Sequence, residues 1–186
     1  MRVVSGFARG HKLICLEGDA VRPTSDRAKE AIFSALGHKV ASSFFLDMFS
    51  GSGAIGIEAL SHGAAFVAFV EAEISHTDII QRNLAHVSKA ISGSNYKVIN
   101  DDAGRALLAF KSAGTKFDII FMDPPYKSLL WKTVLNNIYE MNILREHGIV
   151  IVEMGKDEPK PVTPHFNIIK NKVYGAASVY YMELDQ

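Results

Sequence analysis

Asp123-Pro124-Pro125-Tyr126 brings together a carboxylate, a carbonyl and an aromatic ring within four residues. That set matches a planar exocyclic amine, which offers two N–H donors and a lone pair delocalised into its ring. Asp123 is placed to accept one N–H and the Pro124 carbonyl the other, with Tyr126 stacked on the ring face. Bonds to both donors help localise the lone pair on nitrogen, as attack on an electrophilic methyl group requires. Neither proline has an N–H, and Pro125 keeps Pro124 out of the helical region, so this corner is stiff and extended. The plainer reading is an Asp cap followed by two turn-forming prolines. The aromatic residue and the partner motifs below favour the chemical one.

Such a corner needs a strand to hold it. Phe117-Asp118-Ile119-Ile120-Phe121-Met122 is a short apolar run that ends at the two prolines, as a buried strand would. A second motif stands earlier. Asp47-x-x-x-Gly51-x-Gly53, with Phe49 and Ser52 in the turn, follows the strand begun by Phe44-Phe45-Leu46. Its glycines let backbone approach a ligand closely, ahead of a helix at 54–60. Glu71 closes the next strand, 65–70, and is suited to accept from both hydroxyls of a ribose. Asp102, followed by Ala103, closes a strand at 97–100 and is suited to an adenine amine. Gly51-x-Gly53-x-x-Gly56 also matches a dinucleotide fingerprint, so NAD is a competing reading. Asp47 counts against it, because a carboxylate there repels a pyrophosphate. An acid suits instead the α-ammonium of S-adenosylmethionine. Any one of these acids alone reads as a strand-end cap; three on successive strands favour a shared role.

The remaining elements follow the same alternation. The sequence predicts helices near 75–91, from 103 and at 129–142, a strand at 148–153, and an antiparallel hairpin of 167–174 with 177–184. Strands alternating with helices imply βαβ units and a mostly parallel sheet. Ahead of this lie a β-hairpin over 1–18 and a helix. Thr24 or Ser25 can cap that helix; its apolar stripe is Ala28, Ala31, Ile32, Ala35 and Leu36, and Gly37 stops it. The three prolines at 159, 161 and 164 mark a loop rather than a linker. One domain over 1–186 is expected, with 1–40 as an N-terminal extension.

The chain has 186 residues, 48% hydrophobic and 22% charged, which suits a globular domain with an ordinary core. No apolar run approaches the ~20 residues of a membrane span. The N-terminus lacks a signal-peptide core, and Cys15 is alone, so a cytoplasmic protein without membrane contact is expected. The seven histidines are scattered without ligand spacing, so no metal is expected. Formal net charge is zero, which argues against a globally basic nucleic-acid binder. Residues 1–40 nevertheless hold seven basic and four acidic residues, an excess of +3 that the rest offsets. From charge alone a solvated surface is the plainer reading; if the partner is an anion such as RNA, Arg2, Arg9, Lys12, Arg22 and Arg27 are the candidate contacts.

With these residues in view, the sequence resembles the RsmD-type bacterial methyltransferases. The resemblance runs through Arg2-Val3-Val4-Ser5-Gly6 with Arg9-Gly10, Arg22-Pro23-Thr24-Ser25-Asp26-Arg27, Glu30 and Phe33. It continues in Leu46 to Gly53, Gly56-Ile57-Glu58-Ala59, Glu71, Asn83-Leu84, Asp102-Ala103, Asp123 to Tyr126 and Lys172-Val173-Tyr174-Gly175. His62 stands where such sequences often carry Arg, and Glu73 where Asp is common. The resemblance implies a Rossmann-like class I α/β fold, with a seven-stranded sheet whose last hairpin supplies the antiparallel strand. It implies S-adenosylmethionine as methyl donor and the N2 amine of a guanine in small-subunit (16S) ribosomal RNA as acceptor, in naked RNA or an assembled particle. Asp123, Pro124, Pro125 and Tyr126 are the candidate catalytic residues. Asp47, Phe49, Gly51, Ser52, Gly53, Glu71, Asp102 and Ala103 are the candidate cofactor contacts. A monomer is expected. Two other readings are an adenine-N6 DNA methyltransferase, for whose target-recognition domain there is no room, and a non-catalytic RNA-binding module, which the intact acids disfavour.

Overall fold

The computed structural model describes residues 1–15, 24–125 and 128–185. Seven strands form one sheet: β1 (Phe44–Met48), β2 (Phe66–Glu71), β3 (Asn95–Asn100), β4 (Phe117–Met122), β5 (Leu144–Gly155), β6 (Phe166–Tyr174) and β7 (Ala177–Leu184). Their order is β3-β2-β1-β4-β5-β7-β6. Strands β1 to β5 pair in parallel, and β7 pairs antiparallel with both β5 and β6. The expected C-terminal hairpin is thus present, turning at Gly175, whose φ is 61°. Strand order reverses between β1 and β4. In open α/β sheets that switch point is where ligands bind, outside the carboxyl ends of the strands.

Five α-helices cover the sheet among the described residues: α1 (Asp26–Leu36), α2 (Ala54–Ser61), α3 (Ile74–Val87), α4 (Ala103–Ser112) and α5 (Leu130–Glu140). Alternation along the strands sorts the core into two layers. Phe45, Phe69, Ile119, Phe121, Ile149 and Ile151 face α1, α2 and α3. Leu46, Met48, Ile120, Met122, Val150 and Val152 face α4 and α5. The central strands β1, β2, β4 and β5 are covered on both faces and read as near-continuous apolar runs, whereas the edge strands β3 and β6 are largely exposed. Helix α1 is capped by Ser25, whose hydroxyl accepts from the Ala28 N–H, and it ends at Gly37. Helix α2 lies so close to β2 that a Cβ on Gly56 would come within 2.2 Å of the Phe69 ring.

The expected N-terminal hairpin is reduced. Arg2 and Lys12 form an isolated antiparallel bridge, flanked by bonds from Val3 N to His11 O (2.9 Å) and Gly10 N to Val3 O (2.9 Å), without regular strands. The reason is where its other donors go. Val4 N and Ser5 N donate to the buried Glu58 carboxylate, and Ala8 N donates to Ser61 Oγ, all on α2. The arm is a strap on a helix rather than a free ribbon.

Candidate active site

The glycine turn after β1 is stitched to β2. Ser50 N donates to Val70 O (3.0 Å), Val70 N returns a bond to Ser50 Oγ (3.0 Å), and Ser50 Oγ donates to Asp47 O (2.6 Å). Phe49, Gly51 and Gly53 have φ of 58°, 55° and 78°. The glycines adopt such angles freely, whereas Phe49 holds a left-handed conformation uncommon for a bulky residue. Glu71 closes the turn from outside. Its Oε2 accepts from Gly51 N (2.8 Å) and its Oε1 from Glu73 N (3.1 Å), with His76 Nδ1 at 3.4 Å. Gly51, Ser52, Gly53 and Glu71 therefore form one backbone-lined corner.

Asp47 is 1% exposed and accepts from Gly56 N at 2.8 Å, so it ties β1 to the first turn of α2. Burial pushes its proton affinity well up; the Gly56 bond opposes this, and the Glu71 carboxylate adds to it. Asp102 lies at the margin. It caps α4 by accepting from Arg105 N (3.0 Å), and its carboxylate pairs with Arg105 Nε at 3.2 Å, largely in solvent. Ala103 begins α4 beside it.

Asp123 leaves the end of β4 half-buried, followed by a buried Pro124 and an exposed Pro125. The Pro125 carbonyl accepts from Ser128 N (3.2 Å) and Ser128 Oγ (2.5 Å), which shapes the turn into α5. Burial raises the proton affinity of Asp123 well above a usual carboxylate's, and the carboxylates of Glu153, Asp47 and Glu158 raise it further. Tyr126 lies outside the described residues.

Glu153 went unnoticed in the sequence as a site residue. It is 2% exposed on β5, its proton affinity is raised by burial, and it accepts from Thr24 Oγ1 at 2.8 Å. A signal was present: like Glu71, it is an acid near the end of an apolar strand. Asn83 of α3 was also missed as a positioning residue. It donates to Ser52 O (2.9 Å) and exchanges bonds with Ile14 N (2.8 Å) and Ile14 O (3.0 Å), joining the glycine turn to the N-terminal arm.

Of the candidate RNA contacts, Arg2 and Lys12 are paired across the bridge of the arm. Arg2 pairs with Asp26 at 3.3 Å. Arg9 and Lys12 are exposed on the arm and Arg27 on α1. Arg22 lies outside the described residues. Lys29, counted in the basic excess, is 0% exposed, contacts Glu58 at 3.5 Å and donates to the Arg2 carbonyl, so it adds nothing to the surface. The arm's tip is pinned to the far end of α2 by Phe7 N to Ser61 O (2.8 Å). Arg9 is thus about a helix length, ~12 Å along the axis, from the glycine turn. His62 stacks on Phe33 with ring centroids 5.0 Å apart and sits 2.6 Å from Ser5 Oγ, so it braces the arm.

Comparison with known proteins places this geometry. Residues 1–183 match the family model described as Conserved hypothetical protein 95. Ribosomal RNA small subunit methyltransferase D of Haemophilus influenzae is 33% identical over 178 residues, covering 96% of this chain and 91% of that one. The solved structure of yhhF from Escherichia coli superposes with a TM-score of 0.83 at 30% identity, covering 100% of this chain and 98% of the other. SMU.776, solved in complex with SAH, shares the fold with a TM-score of 0.69 at 15% identity, covering 88% of this chain and 50% of that one.

Proposed function

The chain belongs to the Conserved hypothetical protein 95 family, and from that premise we propose that it methylates small-subunit ribosomal RNA at the N2 amine of a guanine, using S-adenosylmethionine. The observation that carries the chemistry is the convergence of Asp47, Asp123 and Glu153, all raised in proton affinity, around the switch point of the sheet. Such a corner suits a cationic ligand and repels the pyrophosphate of NAD. The donor set therefore fits a molecule with an ammonium and a sulfonium.

S-adenosylmethionine, when bound, supplies a methyl group on a positively charged sulfur. Gly51 to Gly53 and Glu71 would hold its nucleoside end, and Asp47 would offset its positive charge. Asp102 would accept from the adenine amine, with Phe49 and Ala103 beside the ring. At the other side Asp123 accepts one N–H of the guanine amine and the Pro124 carbonyl the other. Pro125 fixes the turn, and Tyr126 is assigned from the sequence to stack on the extruded base. Methylation of the amine by that sulfonium would release S-adenosylhomocysteine and leave the nitrogen with a proton to shed. Asp123, with its raised proton affinity, is suited to take it. Rate enhancement rests mainly on alignment of the amine with the methyl group.

The test is incubation of the protein with labelled S-adenosylmethionine and small subunits lacking the modification, followed by mass spectrometry of the nucleosides. N2-methylguanosine is expected. N6-methyladenosine would select the alternative amine, and no incorporation would overturn the assignment. In the same assay Asp123→Ala is expected to lose at least about 10²-fold in turnover while still binding cofactor. S-adenosylmethionine is expected to raise the melting temperature, and NAD is not.

A further inference from the structure

Strands β4 and β5 run parallel with Met122 paired to Val152. The next residues, Asp123 and Glu153, are therefore neighbours at strand spacing, ~4.8 Å between backbones. Alternation puts both on the face of Phe121 and Ile151, the side covered by α1 to α3. Glu153 is assigned no contact with the amine or the cofactor above, yet it is a buried acid on an apolar strand, where a hydrophobic residue of similar size is often at least as stable. Its described contact reaches across the chain. The Thr24 hydroxyl, just ahead of the Ser25 cap of α1, donates to Glu153 Oε2 over a separation of 129 residues.

We propose that Glu153 is a positioning residue for methyl transfer: it latches the segment ahead of α1 to the strand end that carries Asp123, so the amine-binding corner is fixed before RNA arrives. The proposal rests on the assignment of Asp123 to the amine. Burial and the Thr24 hydroxyl set the charge state of Glu153, while burial and the carboxylates of Glu153, Asp47 on β1 and Glu158 in the loop after β5 act on Asp123, just past β4. Burial works against ionised Glu153, and the bond from Thr24 favours it. An ionised Glu153 in turn keeps the proton affinity of Asp123 high.

The experiment measures initial rates of the full chain with labelled S-adenosylmethionine and unmodified small subunits, across pH, for four variants. Thr24→Val removes the donor at nearly constant volume. Thr24→Ser restores it. Glu153→Gln keeps an acceptor and removes the charge. Thr24→Val is expected to lower kcat about tenfold or more, the scale of one bond to a charged group, with little change in the KM for cofactor. Thr24→Ser is expected to match the native enzyme. Glu153→Gln is expected to move the acid limb of kcat to lower pH, because Asp123 loses a neighbouring negative charge and ionises more readily. The latch is overturned if Thr24→Val turns over within twofold of native, if Thr24→Ser is as impaired as Thr24→Val, or if the acid limb of Glu153→Gln stays in place. Asp123→Ala separates the two levels: normal turnover there removes the amine assignment itself, whereas an inactive Asp123→Ala beside a native-like Thr24→Val removes only the latch.

Discussion

At the scale of single residues, the acids of this molecule divide by what surrounds them. Glu58 is 0% exposed but has partners on every side: Val4 N at 3.0 Å, Ser5 N at 2.7 Å and Lys29 Nζ at 3.5 Å. Removing it leaves two backbone donors without an acceptor and takes the buried carboxylate away from the Lys29 ammonium. Glu58→Ala is expected to cost about 3–5 kcal/mol of unfolding free energy, measured by urea titration. Asp123 and Asp47 are the opposite case: burial raises their proton affinity, and neighbouring acids add to it rather than a cation offsetting it. A folded protein held together by pairs has no use for that arrangement, whereas a cation-binding site has.

At the scale of elements, α2 connects the parts of the site. Its first turn takes Asp47 through Gly56 N, its middle takes the arm through Glu58, and its end takes the arm's tip through Ser61. This works only because α2 sits tightly on β2. Gly56→Ala forces a Cβ to 2.2 Å from the Phe69 ring, so the helix must lift. The expected cost is about 1–3 kcal/mol, seen as a lower urea midpoint at unchanged m-value. Cofactor affinity should fall with it, because the glycine turn leads directly into that helix. Calorimetric titration of the variant with S-adenosylhomocysteine checks this.

At the scale of the whole molecule, two titrations report on charge. Asp47, Asp123 and Glu153 all bind a proton more tightly folded than unfolded. Between the unfolded and the raised folded values the native state holds more protons, so these groups make stability fall as pH rises through that window. The ligand-free protein is expected to melt at progressively lower temperature from mildly acidic to neutral pH. Asp123→Asn should flatten that slope and raise the melting temperature at neutral pH. The second titration is with salt. If Arg9 and Lys12 each neutralise one phosphate, the log–log dependence of RNA affinity on salt should lessen by roughly 0.7 to 0.9 for each one removed. Parallel salt lines for native protein and an Arg9→Ala, Lys12→Ala variant would move the RNA footprint away from the arm.

Local rules made much of the molecule legible in its sequence. Apolar runs closed by Asp or Glu marked the parallel strands, glycines at 51 and 53 marked the turn, and Gly175 marked the final hairpin, because strand period, proline stops and positive φ are properties of a few adjacent residues. The Asp123 corner and the carboxylates at 47 and 71 were visible for the same reason. What the sequence could not contain was the partner of each group. The bond between Thr24 and Glu153 spans 129 residues and exists only because β5 lies beside β4 under the face that α1 covers. The arm failed to become a regular hairpin because Glu58 and Ser61, more than fifty residues away, took its donors. Lys29 lost its place in the basic surface because Glu58 drew it inside. Residue type and spacing determined which chemistry this chain carries; packing across the sheet decided which charges face a ligand and which hold the fold.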